Sequence, residues 1–351
     1  MSEIYDIAVI GAGAAGSMGM LRAVLNNRET IIFKGSKQTN KRSRALWVRK
    51  VVNMPLMFDK KMAVIDSIKE TFAWIEGHEY FSKKLTSIND EVKTVTRGED
   101  GIFTLEDSNA NKYQAKYVLL ATGIMDIQPE IQGSIQPILP YANKGDIDYC
   151  IRCDGHKVIN KVAATIGHGS TAAWVAVLLH ERYSPPEMKI FTNGKTPEWL
   201  GDADLSKLVE LYKIKVITGE ILSIISDEAK NLKAFQIKSA ERGENNSDGT
   251  GEEWHEEPVQ VAFPMLGQIA YNELAKNLGA EISEKGNVKT NDKGESSVSG
   301  FYVAGDLREG KKYQIYTAWD MAVDSVDDMD FKLRNSHRRN LLSAADSVVK
   351  D

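Results

Sequence analysis

The chain has 351 residues, 42% of them hydrophobic, and a formal net charge of -5 at pH 7. This length exceeds one ordinary core and predicts two domains, while the acidic balance excludes nonspecific nucleic-acid binding, which needs a basic surface. No apolar run is long enough to span a bilayer, and Glu3 and Asp6 stand where a signal peptide would be positively charged, so we expect a cytoplasmic protein without a membrane partner.

The first predicted element is a buried strand, Ile4 to Ile10, which runs into the glycine loop Gly11 to Gly16 and a helix that ends near Leu25. In this loop the first glycine permits a tight turn, the second lets a pyrophosphate approach the backbone, and the third lets the helix pack against the strand. Amide groups at the helix start would then face the phosphates of a dinucleotide. The predicted contacts are Gly11, Gly13, Ala14, Ala15 and Gly16.

A second strand, Thr30 to Phe33, closes this unit and ends at Lys34-Gly35-Ser36. This ending lacks the acidic residue that binds ribose in many dinucleotide sites, so ribose recognition must use another group. Further along, Tyr117 to Ala121 is predicted to be another buried strand, and it ends in Thr122-Gly123.

Both cysteines of the chain lie in one short motif, Cys150-Ile151-Arg152-Cys153. A Cys-x-x-Cys pair is half of a zinc site, but the chain has no further cysteine and no histidine cluster to complete a tetrahedral shell. The motif therefore favours a redox-active dithiol over a metal site or a structural bridge, as is usual for a lone pair in a reducing compartment. Asp154 and His156 follow it as candidate proton carriers.

After the dithiol, the strand pattern returns at Lys161 to Ile166 and leads into a second glycine loop, Gly167 to Ala172, and a helix to about Glu181. The next predicted strand is Met188 to Phe191. Residues 241–257 are rich in Glu, Gly, Asn and Asp, which predicts a solvated loop and a return point between the domains.

The last predicted strand is Phe301 to Ala304, which ends at Gly305-Asp306. A helix around Ala318 to Met329 follows. Beyond it lies a polar tail, Arg334 to Asp351, which we expect either to form one short separate helix or to be disordered.

Taken in chain order, these motifs resemble the low-molecular-weight thioredoxin reductases over residues 4 to about 330. The motifs are the first glycine loop, Ala121-Thr122-Gly123, Cys-x-x-Cys-Asp-Gly, the second glycine loop and Ala304-Gly305-Asp306. The resemblance implies an α/β fold with two nested Rossmann-like domains of the FAD- and NAD(P)-binding kind, and it implies a homodimer. The expected domains are a FAD-binding domain in two parts, 1–123 and 258–330, a dithiol-containing inner domain, 124–257, and a tail, 331–351.

The resemblance also implies FAD contacts outside the first glycine loop. Val52-Asn53-Met54-Pro55 is similar to the family's flavin-facing segment, and the Asp of Ala-Gly-Asp reaches the ribityl chain and phosphate in the family. Tyr313-Gln314-Ile315 falls where the family has Arg-Gln-Ala against the flavin ring, so Tyr313 departs from the pattern. The implied contacts are Asn53, Ala121, Thr122, Gly123, Gly305, Asp306, Tyr313, Gln314 and Ile315.

For the dithiol, the resemblance implies that Cys153 is the flavin-proximal sulfur and that Cys150 attacks the disulfide of a thioredoxin-like protein. Cys153 then resolves the mixed disulfide. Asp154 matches the family's acid/base residue, with a turn-capping aspartate as the alternative. Arg152 departs from the small polar residue expected there, and it either stabilises a thiolate or faces the partner.

The electron donor is the point at which the chain departs from its family. In the family the second loop binds NADPH, and arginines after the next strand bind its 2'-phosphate. Here Thr192 to Pro197 offers only Lys195. The chain is therefore more similar to the nicotinamide-independent branches, the ferredoxin-dependent flavin thioredoxin reductases and a deeply branching cyanobacterial type.

We therefore predict a ferredoxin or flavodoxin donor, which a basic stretch from Lys34 to Lys50 would steer, unless that stretch is only a solvated loop. Trp47 and Tyr313 are candidates to cover the flavin, although a core role is the commoner one for any single aromatic residue. Three alternatives stay open: an NADPH-dependent thioredoxin reductase, an oxygen-using dithiol oxidase and a non-enzymatic flavin redox sensor.

Overall fold

The computed structural model describes residues 4–36, 50–58, 60–238, 246–247, 253–310 and 312–348. These residues form two compact units: the described parts of 1–43, 64–125 and 269–351 make unit 1, and those of 44–63 and 126–268 make unit 2. Trp47 and most of the basic stretch, Lys37 to Arg49, lie outside the described residues.

Strands and helices are numbered in chain order. The strands are β1 (Ile4–Ile10), β2 (Thr30–Phe33), β3 (Leu85–Ile88), β4 (Val92–Arg97), β5 (Phe103–Asp107), β6 (Lys112–Leu120), β7 (Ile124–Asp126), β8 (Val162–Ile166), β9 (Glu187–Phe191), β10 (Lys215–Ile217), β11 (Ile221–Ser226), β12 (Leu232–Lys238), β13 (Asn246–Ser247), β14 (Glu253–Pro258), β15 (Val261–Pro264), β16 (Gln268–Ala270) and β17 (Phe301–Val303). The α-helices are α1 (Ala14–Leu25), α2 (Ala63–Glu76), α3 (Leu139–Lys144), α4 (Ile151–Asp154), α5 (Ser170–Tyr183), α6 (Ala203–Leu211), α7 (Glu273–Asn277) and α8 (Ile315–Val348). Short 3-10 turns occur at Phe81–Lys84, Gln136–Ile138, Gly155–Val158 and Glu198–Gly201.

Unit 1 is built on one mixed sheet with the strand order β3-β2-β1-β6-β5-β4. Strand β6 is long enough to have two partners on one side: its first half pairs antiparallel with β5, and its last three residues pair in parallel with β17. Strands β1, β2, β3, β6 and β17 are mutually parallel, so their carboxyl ends lie at one edge of the sheet.

Strand β1 shows how both faces of this sheet become buried. Ile7 and Val9 point to one face, where they join a core with α1, α2 and α8, while Ala8 and Ile10 join the core on the other face. A strand covered on both faces needs a continuous apolar run rather than an alternating one. This explains why all four residues from Ile7 to Ile10 are apolar.

Unit 2 contains a parallel sheet with the order β10-β9-β8-β15. Helix α5 covers one face of this sheet, and the antiparallel sheet β11-β12-β14-β13 packs on the other through residues such as Phe235 and Ile237. The prediction of a solvated loop at 241–257 is wrong for its described part, because 246–247 form β13 and 253–257 belong to β14, which pairs with β12. The strand that follows, β15, pairs with β8 of unit 2. The chain passes between the units at the paired short strands β7 and β16, and also at the start of α2, between Ala63 and Val64.

Helix α8 differs from the expectation of a separate tail. It runs without a break from Ile315 to Val348 because this stretch contains neither glycine nor proline. Two i, i+4 ion pairs support the middle of the helix: Lys332 with Asp328 at 2.9 Å and Arg334 with Asp330 at 2.7 Å.

Candidate active site

Three of the predicted FAD-binding loops lie at one edge of the unit 1 sheet. In the sheet register Ile10 is opposite Leu120, and Leu120 is opposite Val303. The loops that begin at Gly11, at Ala121 and at Ala304 therefore leave the sheet side by side. This is the carboxyl edge of the parallel strands, where open α/β sheets bind their ligands.

Glycines allow these loops to approach one another closely. Gly11 has φ +99°, and a Cβ atom there would lie 2.6 Å from the carbonyl oxygen of Ala121. Gly305 has φ +83°, and its Cβ would lie 3.0 Å from the Cβ of Ala15. A Cβ on Gly16 would overlap the carbonyl oxygen of Gly11. The turn and the helix thus need glycine for contacts within the protein itself.

Gly13 differs from these three glycines because its side-chain direction is open. Among the described residues, and apart from its two chain neighbours and the backbone of its own helix, no heavy atom lies within 4 Å of the position that a Cβ would occupy. The protein itself therefore does not require glycine here, whereas a phosphate held against the first turn of α1 would. The open space beside Gly13, at the start of a helix of 12 residues, fits the pyrophosphate of FAD.

A hydrogen-bond network connects the predicted FAD residues Asp306 and Tyr313. The side-chain amide of Asn287 donates to the main-chain oxygen of Asp306 at 3.0 Å and to the hydroxyl of Tyr313 at 3.3 Å. Asn287 is 6% exposed. Sequence reasoning missed this residue because it lies in an irregular loop, and its partners are 19 and 26 residues away.

The other predicted FAD contacts in unit 1 include two residues whose side chains donate hydrogen bonds to main-chain oxygens of the same unit. Thr122 donates its hydroxyl to the main-chain oxygen of Tyr271 at 2.7 Å, and Gly123 has φ +70°. Gln314 is buried, its side-chain amide donates to the main-chain oxygen of Tyr313 at 2.7 Å, and Ile315 begins α8. Asn53 is half-buried and belongs to unit 2, so its contact with FAD stays a prediction.

In unit 2, Cys150 and Cys153 form a disulfide, with their Cα atoms 5.3 Å apart. Cys150 precedes the one-turn helix α4, and both cysteines are half-buried. The main-chain amide of Cys153 donates to the sulfur of Cys150 at 3.2 Å. After reduction, such a hydrogen bond would favour the thiolate of Cys150 over its thiol. Arg152 and His156 are exposed.

Asp154, the predicted acid/base residue, ends α4 and is only 3% exposed. Its carboxylate lies 3.0 Å from the ammonium of Lys157, which also contacts the carboxylate of Asp148 at 2.9 Å. Burial, and then the charge of Asp154, raise the pKa of Asp148 from its ordinary 3.8 to about 7. Burial works against the charge on Lys157, but the two carboxylates outweigh it and raise the pKa of Lys157. Sequence reasoning missed Asp148 and Lys157, although both are close to the motif.

The second glycine loop is also a strand-loop-helix unit, but a carboxylate lies beside it. The main-chain amide of Glu198 donates to the main-chain oxygen of His168 at 2.8 Å, and its carboxylate lies 3.4 Å from Nε2 of His168. A Cβ on Gly169 would be 3.2 Å from the other carboxylate oxygen. Lys195 is exposed in the same connection, and Trp199 behind it is fully buried. A carboxylate therefore lies against the loop where a pyrophosphate would bind.

The described part of the chain offers neither a metal centre nor a membrane span. Within it, no three His, Cys, Asp or Glu side chains are grouped so that they could hold a metal ion. None of its helices is both long and apolar enough to cross a membrane.

Comparison with known proteins identifies the family. The family model of the pyridine nucleotide-disulphide oxidoreductases matches residues 5–324. A thioredoxin reductase of Mycoplasmopsis pulmonis is 25% identical over 90% of this chain and 94% of its own length, and a ferredoxin--NADP reductase of Picrophilus torridus is 25% identical over 87% and 86%. An alkyl hydroperoxide reductase protein of Xanthomonas campestris is 22% identical over 90% of this chain, but the chain spans only 54% of that relative.

Solved structures agree with this fold. The thioredoxin reductase of Streptococcus pyogenes has a TM-score of 0.77 at 18% identity, over 95% of this chain and 100% of that one. The two Rossmann-like sheets of the present structure match this fold. FAD is the cofactor expected for such a chain. The chain thus belongs to the pyridine nucleotide-disulphide oxidoreductase family and is a flavin disulfide oxidoreductase of the thioredoxin-reductase type.

Proposed function

We propose that this protein passes electrons from FAD through Cys153 and Cys150 to the disulfide of a thioredoxin-like protein, and that it does so without NADPH. The proposal has two halves, the acceptor and the donor. The observation that supports a thioredoxin-like acceptor is the Cys150–Cys153 disulfide, which the buried Asp154 follows directly. A buried carboxylic acid next to a dithiol can exchange the proton that thiol–disulfide chemistry requires. A cytoplasmic location belongs to the same proposal, because a reducing compartment favours a dithiol that turns over.

The residues that would hold FAD are the first glycine loop, the loop at Thr122, and the segment of Asp306 and Asn287. When bound, FAD supplies a pair of electrons that can be delivered to a disulfide. Cys150 would then attack the partner's disulfide: a sulfur–sulfur bond forms between the two proteins, and the partner's second sulfur leaves as a thiolate. Cys153 would next attack Cys150, which restores the internal disulfide and releases the partner as a dithiol.

The nicotinamide-independent half of the proposal is supported by Glu198. A pyrophosphate needs amide groups and cations. Beside the second glycine loop, however, the carboxylate of Glu198 lies 3.4 Å from His168. In the connection after β9, Thr192 to Pro197, the one cation is the exposed Lys195. Repulsion between like charges would weaken NADPH binding here. A ferredoxin or flavodoxin is the proposed donor, and its docking at the basic stretch stays a prediction.

NADPH-dependent reduction is the second candidate, because the strand-loop-helix geometry of β8 and α5 is intact. Gly169 ends the loop directly before α5, and the helix is 14 residues long. Glu198 has a side chain that is 63% exposed, so it can rotate away at a modest cost.

Two experiments test the two halves separately. For the acceptor, a Cys153→Ser variant incubated with an oxidised thioredoxin should accumulate a mixed disulfide at Cys150, whereas Cys150→Ser should not. If neither variant traps a partner through a cysteine, the acceptor proposal fails.

For the donor, flavin absorbance is followed anaerobically after addition of NADPH, NADH or reduced ferredoxin. We expect rapid bleaching with reduced ferredoxin only. Rapid bleaching with NADPH would reject the nicotinamide-independent proposal, and oxygen uptake with a small dithiol but no thioredoxin reduction would indicate a dithiol oxidase.

A further inference from the structure

We propose that Asp148, Lys157 and Asp154 form a buried one-proton store for the dithiol, in which Asp148 holds the proton and Lys157 is a positioning residue between the two acids. The inference deepens the proposed function, because it assigns proton supply to residues around the same cysteines. It does not depend on which donor or partner the enzyme uses.

The geometry is that of one cation shared by two acids. The ammonium of Lys157 lies 2.9 Å from Asp148 and 3.0 Å from Asp154, and it also donates to the main-chain oxygen of Gly145 at 3.4 Å. The two aspartates are 7% and 3% exposed. Asp154 directly follows Cys153 on α4, so the end of this chain of contacts is one residue from the dithiol.

Counting charges indicates why the cluster should hold a proton. Two ionised carboxylates and one ammonium give a net charge of -1 in a buried place, and one added proton makes the cluster neutral. A buried, uncompensated charge is costly, so the neutral form is favoured up to neutral pH. The raised pKa of Asp148, about 7, agrees with this count.

The surroundings of Asp148 in the described chain add no second cation. Asp146 and Tyr149 lie on its own loop, and the charge of Asp146 raises the pKa of Asp148 slightly further. Strand β15 contributes only a main-chain oxygen, that of Ala262, which accepts from the amide of Asp148 at 3.0 Å. Lys157 is therefore the charged partner that both acids share.

A purely structural ion pair would not need this arrangement. One acid would satisfy Lys157, whereas the second buried carboxylate adds charge that the site must compensate. Perturbed acids beside reactive groups are a common sign of proton chemistry. The second acid is thus explained if the cluster has to gain and lose a proton.

When the disulfide accepts two electrons, its sulfur–sulfur bond breaks and two thiolates form. One proton moves from the carboxyl of Asp148 through the ammonium of Lys157 to Asp154, and from there to one thiolate, which becomes a thiol. The net charge of the cluster changes from 0 to -1, and a proton taken up from the solvent then makes the cluster neutral again.

The test is the pH dependence of the dithiol–disulfide equilibrium in the FAD-loaded protein, measured against a dithiothreitol buffer and read by alkylation and mass shift. Each proton taken up on reduction changes the equilibrium constant tenfold per pH unit, which is about 30 mV for this two-electron couple. Above about pH 7 the store is empty in the oxidised protein, but the negative charge of the thiolate formed on reduction favours the protonated form of Asp148, so the wild-type protein should take up one proton more on reduction than Asp148→Asn does. Below about pH 6 the two profiles should be parallel.

Three further variants make the test specific. Lys157→Arg keeps the cation and should keep the wild-type profile, whereas Lys157→Met should move the extra uptake to higher pH by about one to three units. Asp146→Asn removes a nearby acid that does not contact Lys157, and it should keep the extra proton. If Asp148→Asn has the wild-type profile at every pH, the store is refuted. Because the measurement needs no thioredoxin, a failure of the proposed acceptor would leave this result unaffected.

Discussion

Asp148→Asn should stabilise the folded protein at alkaline pH. The folded protein raises the pKa of Asp148 from 3.8 to about 7, so it binds this proton more tightly than the unfolded chain does. Stability contributed by the protonated acid is therefore present at low pH and is lost as pH rises from about 4 to about 7. A shift of roughly three units corresponds to roughly 4 kcal/mol. Asparagine mimics the neutral acid and can still accept a hydrogen bond from Lys157.

We therefore expect similar unfolding free energies for the two proteins near pH 4 and an advantage for Asp148→Asn that grows to about 4 kcal/mol near pH 8. Urea unfolding of the oxidised, FAD-loaded proteins, followed by circular dichroism at several pH values, measures this difference. Asp227→Asn serves as a control of opposite sign. Hydrogen bonds from Asn231 lower the pKa of Asp227, so this variant should lose stability relative to the wild type as pH rises.

A difference between Asp148→Asn and the wild type that does not change with pH would refute this reasoning. If Asp148→Asn were less stable than the wild type at pH 8, the attraction between the Asp148 carboxylate and Lys157 would outweigh the cost of burying that carboxylate. Asp148 would then be half of a structural ion pair, and the proton store would lose its energetic basis.

The other predictions concern the glycine loop, a buried ion pair and the last helix. Gly13→Ala should leave the stability of the FAD-free protein unchanged but weaken FAD binding at least about tenfold, whereas Gly16→Ala should destabilise the FAD-free protein by about 1–3 kcal/mol because of its overlap with the turn. Replacing the buried Lys189, 3.0 Å from Glu257, with Met should lower the unfolding free energy by about 1–3 kcal/mol, because Lys215, 2.8 Å from the same carboxylate, still pairs with it. A stop codon at Ser336 removes only exposed or undescribed side chains and should change this free energy by less than about 0.5 kcal/mol. Flavin fluorescence titration and urea unfolding measure these effects.

Local signals in the sequence were enough to predict the elements around the first glycine loop. Strand β1 runs from Ile4 to Ile10 and β2 from Thr30 to Phe33, as predicted, and α1 ends at Leu25. A buried parallel strand needs an unbroken apolar run, and glycines mark the turn that follows it. These signals all lie within about 30 residues, so the elements can be predicted without knowledge of any long-range contact.

The residues that sequence reasoning missed depend on distant contacts or on burial. Asn287 connects Asp306 with Tyr313 across a loop, and no periodic pattern identifies such a residue. Asp148 and Lys157 are near the dithiol in sequence, but their meaning depends on burial, which single-sequence patterns do not provide. The length of α8 was missed for another reason: the side chains from 336 to 344 are all exposed, so the apolar pattern that marks a buried helix face ends before the helix does.

The two glycine loops of this chain share a backbone design but differ in what faces them. At the first loop, no heavy atom of another described residue lies within 4 Å of the Cβ position on Gly13, whereas at the second loop a carboxylate oxygen of Glu198 lies 3.2 Å from the Cβ position on Gly169. Both loops precede a long helix, so the helix dipole favours an anion at each. At the second loop a carboxylate of the protein, on the largely exposed side chain of Glu198, already lies nearby. Loops with the same backbone design can thus face different chemistry, and fold similarity alone does not predict the electron donor.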